Sequence, residues 1–82
     1  MNKLDKKLLK SIIAEALDIP VNSVTDESEE GKIEEWDSLG QLSILTSLDS
    51  KIDTDISTIS ELGKANSVKQ IEKILNDYGI MK

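Results

Sequence analysis

The sequence predicts an all-α protein, a small bundle of three amphipathic helices plus one short helix. Apolar residues recur at intervals of three and four in three separate segments, which is the helical period. Residues suited to helix starts precede these segments, and no segment shows convincing strand alternation. With 82 residues the chain has the size of one small domain, so we expect a single domain over residues 1–82.

The first helix is predicted from an apolar stripe near the N-terminus. Asn2 is the expected N-cap, and Asp18 and Pro20 mark the end, because a proline restricts the residue before it and cannot donate to the helical ladder. Residues 18–37 then show no helical stripe. We predict a long acidic loop whose scattered apolar residues, among them Trp36, pin it to the core. The stripe consists of Leu4, Leu8, Leu9, Ile12, Ile13, Ala16 and Leu17.

The second helix is expected to start at Asp37, whose side chain can accept hydrogen bonds from free backbone N–H groups of the first turn. Residues 53–55, which read Asp-Thr-Asp, are expected to end it. Its apolar stripe should pack against the other helices. The stripe comprises Leu39, Leu42, Ile44, Leu45, Leu48 and Ile52.

The C-terminal third of the chain predicts two further helices. A short helix is expected over residues 57–62, with Gly63 as its stop, and Ser67 is expected to cap the last helix, which Gly79 terminates. The residues predicted to point inward are Ile56, Ile59 and Leu62 in the short helix, and Val68, Ile71, Ile74, Leu75 and Tyr78 in the last one.

The composition narrows the function. The chain has 16 acidic and 10 basic residues, a formal net charge of -6, and neither cysteine nor histidine. Repulsion from phosphate argues against a nucleic-acid partner. The lack of a general base near neutral pH and of a thiol nucleophile argues against an enzyme. No apolar segment approaches the ~20 residues that span a bilayer, and no secretory signal is evident, so we expect a cytoplasmic monomer without membrane insertion.

The acidic loop offers an alternative function, weak calcium binding. Between residues 26 and 37, oxygen-bearing residues and one glycine fall at the spacing of an EF-hand calcium loop. The match is incomplete, because Asp37 stands where a bidentate glutamate belongs and no helical stripe enters the loop. A solvated acidic loop is the simpler interpretation, and no metal ligand is assigned. The matching positions are Asp26, Ser28, Glu30, Gly31, Glu34 and Asp37.

The tripeptide Asp37-Ser38-Leu39 joins this loop to the second helix. On the plain interpretation Ser38 is an ordinary helix-start residue. On the functional interpretation it is an exposed hydroxyl at a helix N-terminus, where unpaired N–H groups and the helix dipole accommodate a phosphate. Ser38 is therefore a candidate site for a group attached through a phosphodiester.

In this motif and in the order of its elements, the chain resembles the acyl carrier protein family, which includes peptidyl carrier domains. The resemblance covers essentially the whole chain: a first helix, a long acidic loop, "WDSLGQLSIL" opening the second helix, "IDTDIS" leading into the short helix, and a last helix started by a serine. It implies that a phosphopantetheinyl transferase attaches 4′-phosphopantetheine to Ser38, between Asp37 and Leu39. The thiol that the sequence lacks would then arrive on this arm and hold acyl groups as thioesters.

The resemblance further implies partner enzymes that load and transfer the acyl group. Fatty-acid-synthesis carriers have a strongly acidic second helix, whereas the first turns here carry Gly40, Gln41 and Ser43. We therefore expect a specialised pathway rather than general fatty-acid synthesis. An acidic helical adaptor that is never modified is the other alternative. The candidate partner contacts are Glu34, Glu35, Leu39 and Asp49, and the residues that could line an acyl cleft are Ile44, Leu45, Leu48, Ile56, Ile59 and Leu62.

Overall fold

The computed structural model describes residues 4–52 and 59–81. Within these ranges the chain forms three α-helices, so the predicted small all-α bundle is confirmed. Backbone bridges in the same residues are isolated pairs and do not extend into strands. The elements are α1 (Lys6–Leu17), α2 (Ser38–Lys51) and α3 (Val68–Asp77), with 3-10 helices at Val21–Ser23 and Ser60–Lys64.

Each α-helix starts at a side chain that accepts a hydrogen bond from its first turn. Asp37 caps α2 and Ser67 caps α3, as the sequence predicts. For α1 the predicted cap is wrong, because the helix starts at Lys6 and the Asp5 carboxylate accepts the bond from the Leu8 N–H at 2.7 Å. Asn2 lies outside the described residues. Such a cap stabilises a helix by about 1 kcal/mol.

The helix ends follow local backbone rules. α1 stops at Leu17 because Asp18 adopts the left-handed conformation, with φ 57°, and closes the last turn through its N–H. α3 ends at Asp77, just before Gly79, whose φ is +73°. The short helix is the 3-10 helix Ser60–Lys64, so Gly63 lies inside it and does not end it. Its predicted start, and the predicted end of α2 at residues 53–55, lie outside the described residues.

The apolar core forms where α1 packs against both α2 and α3. Full burial of one such aliphatic side chain stabilises the fold by about 1.5–3 kcal/mol. Two predicted core residues are instead half exposed: Leu8 on α1 and Tyr78, which follows α3 and donates a hydrogen bond to Glu61. The most deeply buried side chains are Leu9, Ile13, Trp36, Ile44, Leu48, Leu62, Val68, Ile71 and Leu75.

The acidic loop is attached to α3 through its backbone. The Glu30 N–H donates to the Asn66 carbonyl at 2.8 Å, and the Val68 N–H donates to the Ser28 carbonyl at 3.0 Å. Ser28 is itself buried, and its hydroxyl accepts a hydrogen bond from the Thr25 N–H. The burial of Val24 and Trp36 in the core confirms the predicted pinning of this loop by apolar residues, although Val21 is half exposed.

Ion pairs attach the same loop to α1. Lys10 Nζ lies 2.8 Å from one carboxylate oxygen of Asp26, and Lys6 Nζ lies 3.6 Å from the other. Lys10 and then Lys6 lower the pKa of the Asp26 carboxyl below its usual 3.8, against partial desolvation. A similar pair, Lys69 with Glu27 at 3.0 Å, links the loop to α3 and raises the pKa of the lysine.

Candidate functional site at the head of α2

Ser38 is the first residue of α2, and its side chain is exposed. The Asp37 carboxylate accepts a hydrogen bond from the Gly40 N–H at 2.9 Å, and the Asp37 carbonyl accepts one from the Gln41 N–H at 2.8 Å. Among the described residues, the N–H groups of Ser38 and Leu39 have no partner, as expected for a first turn. The serine hydroxyl therefore stands in solvent at the positive end of a helix, where a phosphate is favoured.

Gly40 fixes how closely this first turn approaches its neighbours. It is buried, and a Cβ at this position would meet the Glu35 carbonyl oxygen and lie 2.8 Å from the Leu17 Cδ2. A glycine is needed because the backbones of α2 and of the loop before it approach too closely for any side chain. The role of Gly40 is therefore close packing against the loop and α1.

Hydrogen bonds of Trp36 and Gln41 anchor the first turn of α2 to the neighbouring segments. Trp36 is 1% exposed, which confirms its predicted packing role, and its indole N–H donates to Gln41 Oε1 at 2.8 Å. Gln41 Nε2 donates in turn to the carbonyls of Ala65 at 2.7 Å and Leu62 at 3.3 Å. This network connects the loop before Ser38, the first turn of α2 and the 3-10 helix Ser60–Lys64.

An apolar groove lies between α2 and that 3-10 helix and begins one turn beyond Ser38. Its volume is about 360 Å³, within the ~300–1,000 Å³ range of small-molecule pockets. Of the predicted cleft residues, the structure brings Leu45, Ile59 and Leu62 together here, whereas Ile44 and Leu48 are fully buried and Ile56 lies outside the described residues. The groove is lined by Leu42, Leu45, Thr46, Asp49, Ile59, Ser60, Leu62 and Gly63.

The prediction that the apolar residues of α2 face the core is wrong for the first half of the helix. Gly40, Ile44 and Leu48 form the buried face, while Leu39 is 75% exposed and Leu42 is 61% exposed. Leucines at intervals of three and four fit more than one face of a helix, so spacing alone could not separate the face against the core from the face beside Ser38. Leu42 is therefore a candidate site residue that the sequence had assigned to the core.

The other predicted contact residues differ in position. Glu34 and Glu35 are exposed in the loop that leads to Ser38, and Asp49 lines the groove more than two turns further along α2. Leu39 lies directly beside Ser38. The structure thus provides an exposed serine, two exposed leucines near it and carboxylates on either side. Gln41 and Thr46 also belong to the site, although the sequence did not predict them. Their contacts lie on a face of α2 that the apolar pattern did not identify.

The calcium-loop residues do not converge. Asp26 pairs with lysines of α1, Ser28 bonds within its own turn, and Asp37 caps α2. Over residues 4–52 and 59–81, no cluster of three or more acidic side chains is arranged to hold a metal ion. Three acidic residues of the loop, Asp26, Glu27 and Glu29, instead pair with lysines.

Comparison with known protein families, with curated proteins and with solved structures finds no match to this chain. None of the helices in the described ranges has the length and apolar character required to span a bilayer.

Proposed function

We propose that the protein is an acyl carrier that holds acyl groups as thioesters on a 4′-phosphopantetheine arm attached to Ser38. The observation that carries this proposal is the exposed Ser38 hydroxyl at the head of α2, one turn from an apolar groove. The resemblance of the Asp37-Ser38-Leu39 segment and of the element order to acyl carrier proteins supports the same function. The arm would supply the thiol that the chain itself lacks.

The residues around Ser38 fit a phosphodiester at this position. The unpaired N–H groups of Ser38 and Leu39 and the helix dipole favour the negative charge. In the attachment step, Ser38 Oγ bonds to the phosphorus next to pantetheine in coenzyme A, and the bond from that phosphorus to the adenosine bisphosphate breaks. The serine proton passes to a base of the phosphopantetheinyl transferase, and adenosine bisphosphate leaves with the electron pair.

The groove and the exposed leucines suggest what this chain adds once the arm is present. An apolar acyl chain that leaves water gains free energy in proportion to the area it buries, and the groove offers Leu42, Leu45 and Leu62 as its lining. Leu39 and Leu42 remain exposed for enzymes that load or remove the acyl group. Their surroundings on α2 are polar and mainly uncharged, which supports partners with apolar rather than strongly basic docking surfaces and a specialised pathway.

Intact mass spectrometry tests this function. The protein is incubated with coenzyme A and a promiscuous phosphopantetheinyl transferase, beside Ser38→Ala and the matched control Ser43→Ala, which changes another exposed serine of α2. We expect a gain of about 340 Da in the wild type and in the control, and none in Ser38→Ala.

Two outcomes would contradict the proposal. No mass gain with several transferases would favour the unmodified adaptor, and a gain that persists in Ser38→Ala would place the attachment elsewhere. Isothermal titration with calcium tests the remaining alternative, weak calcium binding by the acidic loop. This alternative requires saturable binding that is lost when Asp26 is replaced by Asn.

A further inference from the structure

We infer that Asp49 is a specificity-determining residue, whose carboxylate selects acyl groups that carry an amino group close to the thioester over uncharged or acidic groups of the same size. The inference rests on the proposed function, since it requires an arm on Ser38, and it names the class of acyl group that the arm carries. Among the described residues that line the groove, Asp49 is the only charged one.

The groove follows the face of α2 that carries Ser38. A helix turns by about 100° per residue, so Leu42, Leu45 and Asp49 all lie within about 40° of Ser38 around the helix axis. Their distance from Ser38 along the axis rises from about 6 Å at Leu42 to about 16.5 Å at Asp49. An arm that follows this face therefore passes the two leucines before it reaches the carboxylate.

The length of the arm matches this distance. 4′-Phosphopantetheine has about 13 bonds between its phosphorus and its sulfur, and an extended chain covers ~3.5 Å in three bonds, so the arm spans about 15 Å. Its two methyl groups then lie along the apolar part of the groove, and its sulfur lies near Asp49. The atoms next to the thioester thus meet the carboxylate, whereas a long apolar chain reaches the leucines by folding back.

The chemistry at this end of the groove suits an ammonium group. Thr46 lies three residues before Asp49, and its hydroxyl donates to the Leu42 carbonyl at 2.9 Å, so its oxygen can still accept a hydrogen bond. An ammonium group offers three N–H donors and the charge opposite to that of the carboxylate. A carboxylate on the acyl group would be repelled, and a methyl group would gain neither interaction.

The charged residues around the groove do not offset Asp49. Glu61 and Lys64 of the 3-10 helix line a separate depression beside α3. Lys51, the nearest lysine on α2, lies 3.8 Å from the carboxylate of Glu15 on α1. The described lining of the groove contains no lysine. The groove therefore presents a negative charge to the acyl group.

The test uses the protein with β-alanyl, butanoyl or succinyl groups on the Ser38 arm, installed from the corresponding coenzyme A thioesters. Butanoyl has a methyl group where β-alanyl has its ammonium, and succinyl has a carboxylate there. With ¹⁵N in the β-alanyl amine, an NMR titration measures the acid dissociation constant of that ammonium.

We expect Asp49→Asn to raise this dissociation constant by about threefold, a modest change because the ion pair is partly exposed. Asp77→Asn is the matched control, since it removes the same charge from an exposed helical position outside the groove, and it should leave the constant as in the wild type. Equal constants in the wild type and in Asp49→Asn would overturn the inference.

Backbone amide chemical shifts of Thr46 and Ile59 provide a second measurement. Relative to the protein with the unloaded arm, β-alanyl should shift these signals more than butanoyl or succinyl does. The preference should vanish in Asp49→Asn and persist in Asp77→Asn. Shifts of equal size for the three acyl groups in the wild type would contradict the inference.

The salt dependence requires no variant. As salt rises from about 0.01 M to 1 M, the dissociation constant of the β-alanyl ammonium in the wild type should rise towards that of free β-alanyl pantetheine. A constant equal to that of the free compound at both salt concentrations would overturn the inference. A chain that accepts no arm at Ser38 would instead contradict the proposed function, so the two failures are distinguishable.

Discussion

Helices α2 and α3 use similar apolar residues in different ways. In α3 the apolar residues Val68, Ile71 and Leu75 are buried on one face, and the opposite face is charged. In α2 the residues Ile44 and Leu48 form the buried face, but Leu39 and Leu42 lie in solvent.

Packing in the core thus accounts for the positions of nearly all apolar residues of α3, but for only half of those of α2. The exposed half of α2 contains Ser38 and borders the apolar groove. Apolar residues that are solvent-exposed beside a groove are available to contact a ligand or a partner protein. The difference between the two helices therefore separates residues that build the fold from residues that the proposed function requires.

The largest expected effect comes from substitutions on the two faces of α2. Ile44→Ala should lower the free energy of unfolding by ~2–5 kcal/mol, because Ile44 is 0% exposed and its loss leaves a cavity. Leu42→Ala should change it by less than about 0.5 kcal/mol, since the side chain is mostly in water already. Urea denaturation measures both. Equal destabilisation by the two variants would remove the distinction between the faces.

A smaller effect is expected from two glycines in different surroundings, Gly40 packed against the loop and α1, and Gly63 in the 3-10 helix. Gly40→Ala should destabilise the protein by ~1–3 kcal/mol, because the added methyl group meets the Glu35 carbonyl and the Leu17 side chain. Gly63→Ala is the matched control in the 3-10 helix, where a Cβ meets nothing within 4 Å, and should be nearly neutral. Comparable unfolding curves for the two variants would show that the close approach at Gly40 is not required.

The smallest effect concerns the loop that precedes α2 and depends on pH. The pKa of Asp26 is lowered in the folded protein, so its pairing with Lys10 and Lys6 contributes stability above pH 3.8, the ordinary value, and loses it as pH falls through the lowered pKa. Asp26→Asn should melt slightly below the wild type at neutral pH, and the difference should shrink in acid and at high salt. A difference that grows in acid would contradict this account.

The local features of the fold could be predicted from the sequence, and the contacts between segments could not. Asp37 and Ser67 were identified as caps because a cap acts within one helical turn, and Trp36 was assigned to packing because large aromatic residues favour burial. Leu42 was misassigned because its spacing fits two faces of one helix. Gln41 gave no signal, since its partners Leu62 and Ala65 are more than twenty residues away.

The same distinction between local features and contacts of distant segments applies to the candidate site. Ser38 was predicted from the Asp-Ser-Leu motif together with the order of elements along the whole chain, and the structure places its side chain in solvent at the start of α2. The groove beside it was expected only as one possible role of core residues, because its opposite wall comes from a separate segment of the chain. A sequence pattern can single out one serine, whereas the space around that serine depends on how distant segments pack.

The most direct test of the central claim is a tandem mass spectrum of the protein isolated from cells that produce it naturally. We predict that the peptide containing Ser38 carries an increment of at least about 340 Da, larger when an acyl group is still attached, and that phosphopantetheine is ejected on fragmentation. A protein recovered entirely without this increment, or with it on a different serine, would contradict the account.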